Sequence, residues 1–248
     1  MTMHTRCARR TVVAAGLLAA AIAADVSAAT FAASATGGLS LVSITGDASG
    51  LTFKPADRTD ESGARFGSLG SVSKDANVTY MVDPLGIGKG FDISLQAVAT
   101  GSAGTSAPSS SVEASASAGS FLELYNAAAT PVEIVFQFDY VLDTSVFETP
   151  GPQFLNIGQA RAEFQVSILD LVDEYIVAAS EVPVGPNTDL QSSSFLAALT
   201  LGPGELRFVD MQARVYGLAE LYVVPAPAAV WLLLSALGTV PLVRRRVA

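Results

Sequence analysis

In Val132-Glu133-Ile134-Val135-Phe136-Gln137-Phe138-Asp139-Tyr140 every even position is large and apolar, and most odd positions are polar. Successive side chains of an extended strand point to opposite faces, so this spacing buries one face and wets the other. A helix would scatter the same polar residues around its circumference, including onto the core face. Ala160-Arg161-Ala162-Glu163-Phe164-Gln165-Val166-Ser167-Ile168 repeats the alternation. Both stretches are strands with a core side.

Weaker strand patterns surround them at Leu39 to Thr45, Asn77 to Val82, Phe91 to Thr100, Val112 to Ala118, Phe121 to Tyr125, Tyr175 to Val182 and Phe195 to Leu201. The stretch Glu205 to Leu218 alternates through Leu206 and Phe208 and resumes at Met211, Ala213 and Val215, which predicts a bulge near Val209-Asp210. Thr149-Pro150-Gly151-Pro152, Gly185-Pro186-Asn187 and Gly202-Pro203-Gly204 punctuate the runs as turns or loops. The low-complexity run Gly101 to Ser111 is expected to be an exposed loop. About ten short strands without an amphipathic helix between them predict an all-β fold, an antiparallel β-sandwich with jelly-roll connections as the favoured variant.

Of 248 residues, 15% are charged and half are hydrophobic, which excludes a disordered chain, and a single cysteine excludes a disulfide scaffold. The apolar surplus gathers at the two ends. At the first, Arg6, Arg9 and Arg10 precede an uncharged run from Thr11 to Ala24 and then Val26-Ser27-Ala28. This is the three-part layout of a secretory signal peptide, residues 1–28, with cleavage expected after Ala28 or one residue later. Thr11-Val12-Val13 follows Arg9-Arg10 where a twin-arginine signal would carry other residues, and Cys7 lies on the wrong side of the apolar run for a lipoprotein. His4 and Cys7 are the only histidine and cysteine, so cleavage removes both. Ser-His-Asp and Cys-His nucleophiles, zinc sites built on Cys or His, haem ligation through His and every disulfide are thereby excluded from the mature chain.

At the other end, 23 residues from Leu221 to Val243 carry no charge and are followed by Arg244-Arg245-Arg246. As a helix, the part after Pro227 would be roughly 24 Å long, enough to cross a ~30 Å hydrocarbon core if the arginines snorkel. The positive-inside rule keeps those arginines in the cytoplasm and the remainder of the mature chain outside the inner membrane. The order Val224-Pro225-Ala226-Pro227-Ala228-Ala229, then Val230-Trp231-Leu232-Leu233-Leu234, then the arginine triplet resembles the PEP-CTERM sorting signal of Gram-negative bacteria. The resemblance covers residues 224–248, with Ala226 in the place of the family's usual acidic residue.

It implies that an exosortase recognises Val224, Pro225 and Pro227, that Trp231, Leu232, Leu233 and Leu234 lie in the membrane, and that Arg244, Arg245 and Arg246 hold the tail inside. It also implies an inner-membrane intermediate, then delivery to the cell surface or an exopolysaccharide matrix. The competing reading is a plain single-pass anchor carrying a carbohydrate- or calcium-dependent binding module.

Between these segments, residues 29–223 keep 8 basic and 22 acidic residues, a net charge of −14 that disfavours nucleic acid and anionic membrane surfaces. Asp57-Arg58-Thr59-Asp60-Glu61 and Asp170-Leu171-Val172-Asp173-Glu174 are the densest acidic clusters. Neither has the Asp-x-Asp-x-Asp-Gly order of a calcium loop, so both are expected to be solvated turns, with no resident metal or cofactor. No motif fixes a carboxylate pair for glycoside hydrolysis, and Gly86-Ile87-Gly88-Lys89-Gly90 lacks the spacing of a phosphate loop. Trp231 lies in the apolar tail, which leaves Tyr80, Tyr125, Tyr140, Tyr175 and Tyr216 as candidate sugar platforms; Tyr140 continues a buried face. The expectation is a non-catalytic protein. Intact-mass measurement of exported protein should show loss of Met1 to about Ala28 and no remaining cysteine; retention of Cys7 would defeat the exclusion of thiol and imidazole chemistry.

Overall fold

The structure, a computed structural model, describes residues 27–66, 70–81, 91–104, 109–148, 154–168, 172–182 and 187–223. They form ten strands: β1 (Ser27–Thr45), β2 (Leu51–Phe66), β3 (Gly70–Met81), β4 (Asp92–Gly104), β5 (Ser109–Asn126), β6 (Val132–Glu148), β7 (Phe154–Ile168), β8 (Val172–Val182), β9 (Thr188–Leu201) and β10 (Leu206–Val223). Two antiparallel five-stranded sheets result, in the orders β3-β4-β1-β6-β9 and β2-β5-β10-β7-β8. The first is called sheet A and the second sheet B below. Only the links β3–β4 and β7–β8 join hydrogen-bonded neighbours; every other link passes from one sheet to the other.

The alternation that marks β6 runs its whole length. Val132, Ile134, Phe136, Phe138, Leu142 and Val146 are buried between the sheets, and Glu133, Val141 and Phe147 are exposed. The interior combines a few large rings with many alanines, including Ala33 and Ala35 on β1, Ala97 and Ala99 on β4, and Ala114, Ala116 and Ala118 on β5. Rings from one sheet occupy gaps in the other. Phe164 of β7 lies against Gly37 of β1, where an added Cβ would meet the ring at 2.0 Å, and Phe31 of β1 lies against Gly217 of β10, where the distance would be 1.9 Å. Gly101 of β4 also borders Phe31. These glycines are needed for space: sheets stack about 10 Å apart, and a ring fits only where the opposite residue has no side chain.

Side chains tie the two sheets together at both flanks. Glu61 of β2 accepts a hydrogen bond from the Ala76 amide of β3 at 3.0 Å. On the other flank, Asp189 of β9 accepts from the Ala179 amide of β8 at 3.1 Å, and Gln191 donates to the Val177 carbonyl at 2.7 Å. Backbone groups on these edge strands are thereby partly satisfied without an added strand. Inside, the Thr144 and Ser180 hydroxyls are 2.7 Å apart and join β6 to β8. Asn126 is fully buried at one end, where its amide donates to the carbonyls of Thr130 (2.9 Å), Leu201 (3.1 Å) and Gly202 (3.3 Å), and its Oδ1 accepts from the Ala128 amide (2.9 Å).

Several expectations are corrected. β1 starts at Ser27, not Leu39, because Ala29, Phe31, Ala33 and Ala35 continue the buried face with small residues that give little periodic contrast. Val112 to Ala118 and Phe121 to Tyr125 are one strand, since Ser120 keeps the inward parity between Ala118 and Leu122. Gly101 to Gly104 and Ser109 to Ser111 belong to β4 and β5, with Gly101, Ser102, Ala103 and Ser110 buried, so most of the expected loop is strand. β10 has no bulge: its register with β5 and β7 is unbroken from Val209 onward, and Leu206 and Phe208 face outward at 44% and 37% exposure. Asp57 to Glu61 is part of β2, paired residue by residue with β5, and is not a turn.

Val224, Pro225, Pro227, Trp231, Leu232, Leu233, Leu234, Arg244, Arg245 and Arg246 lie outside the described residues, as does nearly all of the signal segment. Among the described residues, no helix is long and apolar enough to cross a membrane. Ala28 falls within β1, where the register with β4 is irregular between Ser27 and Ala29. A cut there would leave the regular part of the strand intact.

The space argument separates two adjacent glycines. Gly37→Ala should lower stability by about 1–3 kcal/mol through overpacking against Phe164. Gly38→Ala, whose added Cβ would come no closer than 3.7 Å to the Ile93 carbonyl oxygen, should be neutral or slightly stabilising. Urea denaturation of the two variants is the check, and equal midpoints would contradict the packing.

Candidate groove on the outer face of sheet B

The outward residues of sheet B fall into cross-strand rows. Arg58, Gly119, Gln212 and Gln165 stand in register on β2, β5, β10 and β7. The next row is Asp60, Ser117, Arg214 and Glu163, and the one after it is Ser62, Ser115, Tyr216 and Arg161. β5 therefore presents only Gly119, Ser117 and Ser115 between neighbours with long side chains. Adjacent strands are about 4.8 Å apart, so β2 and β10 bound a trough roughly 10 Å wide. A groove of about 360 Å³ follows, floored by Ser115 and Ser117 and walled by Arg58 and Asp60 on one side and by Arg214 and Tyr216 on the other.

The charges in the groove are not equally engaged. Arg161 pairs with Glu163 and donates to the Tyr175 hydroxyl at 2.8 Å; that hydrogen bond first, and the carboxylate beside it, raise its pKa further. Arg214 donates to the Gln212 side chain. Neither Arg58 nor Arg214 has a carboxylate within ion-pair distance among the described residues. Burial first, then the Glu113 and Glu220 carboxylates, push the pKa of the Tyr216 hydroxyl up from its ordinary value. The groove thus holds three of the eight basic residues of segment 29–223.

Beside the trough the same face carries an aromatic pair, with Asp210 opposite Phe121 and Glu123 opposite Phe208. Phe121 follows Gly119 on β5 by two residues, and its ring stacks on that of Phe208 with centroids 4.9 Å apart. The two rings are 42% and 37% exposed, and Tyr125 and Leu206 extend the surface. Of the candidate tyrosines, Tyr125, Tyr175 and Tyr216 lie on this outer face, whereas Tyr140 packs against the core and stacks on Phe164. The side chain of Tyr80 is outside the described residues.

Strand geometry also bears on the acidic clusters. Along β2, successive carboxylates at Asp60 and Glu61 point to opposite sides, and Glu61 is engaged with β3. Asp173 and Glu174 alternate in the same way on β8. Among the described residues no three His, Cys, Asp or Glu side chains converge as a metal site would require. Asp60 and Glu163 are carried on strands three spacings apart, roughly 14 Å, whereas an acid and base for glycoside cleavage stand about 5–9.5 Å apart.

Arg58 and Asp60 stood out in the sequence only as part of the acidic cluster Asp57 to Glu61, and their place in a groove was missed. The usable signal was short: Leu51, Phe53 and Pro55 alternate with Thr52, Lys54 and Ala56, which extends the strand parity onto Arg58 and Asp60. No family model matches the sequence, and no curated protein matches it.

Because Arg58 and Arg214 support nothing beneath them, Arg58→Gln and Arg214→Gln should each change stability by less than about 0.5 kcal/mol. Thermal melting tests this, and a large drop for either would assign the arginine to the frame and not to a site.

Proposed function

We propose that the chain is an exported, non-catalytic protein of the cell surface or exopolysaccharide matrix, delivered through a C-terminal segment that an exosortase processes at the inner membrane. The observation that carries this reading is the order of parts after the last strand: β10 ends at Val223, and Val224-Pro225-Ala226-Pro227, the apolar run and Arg244-Arg245-Arg246 follow without a spacer. Pro225 and Pro227 favour an extended segment suited to a protease cleft.

The fold supports display. Phe31 packs on Gly217, so the start of β1 and the end of β10 lie toward the same end of the sandwich, and a tether there directs the Phe121–Phe208 end outward. Connectivity supports a jelly-roll-like variant of the sandwich: β4-β1-β6-β9 and β5-β10-β7-β8 follow that neighbour order, with β1 in the place of the closing strand. Fold alone assigns no activity, and the separation of Asp60 from Glu163 favours a non-catalytic role.

Changing Pro225 and Pro227 together to Ala separates sorting from plain anchoring. The apolar run and arginine triplet would still insert and stop transfer, so the variant should accumulate uncut in the inner membrane. Replacing the three arginines by Ser should instead let uncut chain slip outward. Wild type and the double-proline variant found at the same mass in the same fraction would reject the sorting reading in favour of a permanent anchor.

A further inference from the structure

We propose that the outer face of sheet B binds an acidic polysaccharide, with Arg58 and Arg214 holding sugar carboxylates in the trough and the Phe121–Phe208 pair carrying the apolar face of an adjoining sugar ring. The inference goes beyond the reading of the tail and does not depend on it.

Four features of the face converge on this ligand class. The guanidinium groups of Arg58 and Arg214 lack carboxylate partners among the described residues, and guanidinium matches carboxylate through paired hydrogen bonds. The strip of Ser115, Ser117 and Gly119 keeps the floor low over three successive outward positions of β5, a shape for a chain laid along the strand. The groove also offers hydroxyl-binding groups of both kinds: Asp60 accepts, Tyr216 donates, and Gln212 does either. Finally, Phe121 continues the same face one pleat repeat, roughly 7 Å, beyond Gly119 and Phe208 stands in the row after it, where a small inorganic anion would have no use for them.

Charge narrows the class further. Three arginines face Asp60 and Glu163 in the groove, while Glu113, Glu220 and Asp210 stand outside it on the same face, so the positive charge is confined to the trough on a domain of net −14. A densely charged polyanion such as duplex nucleic acid is repelled by the whole, whereas a glycan with one carboxylate per sugar ring has a lower charge density and meets the arginines at short range. The pair Phe121–Phe208 then adds contact that a free anion cannot make.

The test uses full-length chain purified in mild detergent, with polygalacturonate as the acidic probe, neutral dextran as the uncharged one and double-stranded DNA as the dense polyanion, each cast into native gels. Polygalacturonate should retard the wild type, and dextran and DNA should not. Arg58→Gln and Arg214→Gln should each weaken the polygalacturonate interaction on the order of tenfold. Phe121→Ser should weaken it without changing its salt dependence, and Ser117→Trp should abolish it by filling the floor. No retardation by polygalacturonate, equal retardation by dextran or DNA, or arginine variants that migrate like wild type would each overturn the proposal.

Discussion

Phe31 and Phe164 project in opposite directions across the sandwich, and each meets a glycine on the facing sheet. That pair of contacts sets how closely the sheets approach and in what alignment, because a shift of one residue in β1 or β10 would bring a side chain under a ring. The many interior alanines follow from the same condition: with the sheets held close, only a few positions have depth for a large residue. Alignment of the interior in turn decides the exterior. Every outward residue of β5 and β10, including the row of Ser115, Ser117 and Gly119, is where it is because its neighbours face Phe31 and the alanines.

The frame leaves the faces of the sheets, and not their edges, as the open surfaces. Edge strands of open sheets commonly recruit further strands, but here Glu61, Asp189 and Gln191 engage amides or carbonyls of the neighbouring edge. Asn126 secures the opposite problem, the irregular connections at one end, by donating to three carbonyls and accepting from one amide. Sheet B contributes a face that is polar and grooved at its centre and aromatic beside it. Such a surface can change ligand by changing outward residues alone, while inward ones keep the packing.

Strands with strong contrast between their two faces were legible in the sequence. Val132 to Tyr140 and Ala160 to Ile168 lie within β6 and β7, and the all-β, two-sheet architecture follows from them. Where contrast was low the reading failed. The first half of β1 and the end of β4 use mostly Ala, Gly, Ser and Thr, which look like a leader remnant and a linker by composition although burial alternates along the first and Gly101, Ser102 and Ala103 are all buried in the second. Leu206 and Phe208 misled in the other direction: large apolar residues suggested the core, and they face out beside Phe121. The role of Arg58 and Asp60 was hidden because Ala56 to Gly63 is exposed on both faces and so has no amphipathic pattern. The groove itself depends on register among four strands distant in the chain, which no local pattern encodes.

β10 is the last strand in the order of the chain and lies in the middle of sheet B, between β5 and β7. Until it is in place, that sheet consists of two separate hairpin-sized pieces, β2-β5 and β7-β8, with nothing for Phe31 to rest on. The second sheet therefore cannot close until the last strand of the chain has joined it. Long-range pairing of this kind also forms slowly. The topology orders assembly: sheet B locks only when Leu206 to Val223 is in place.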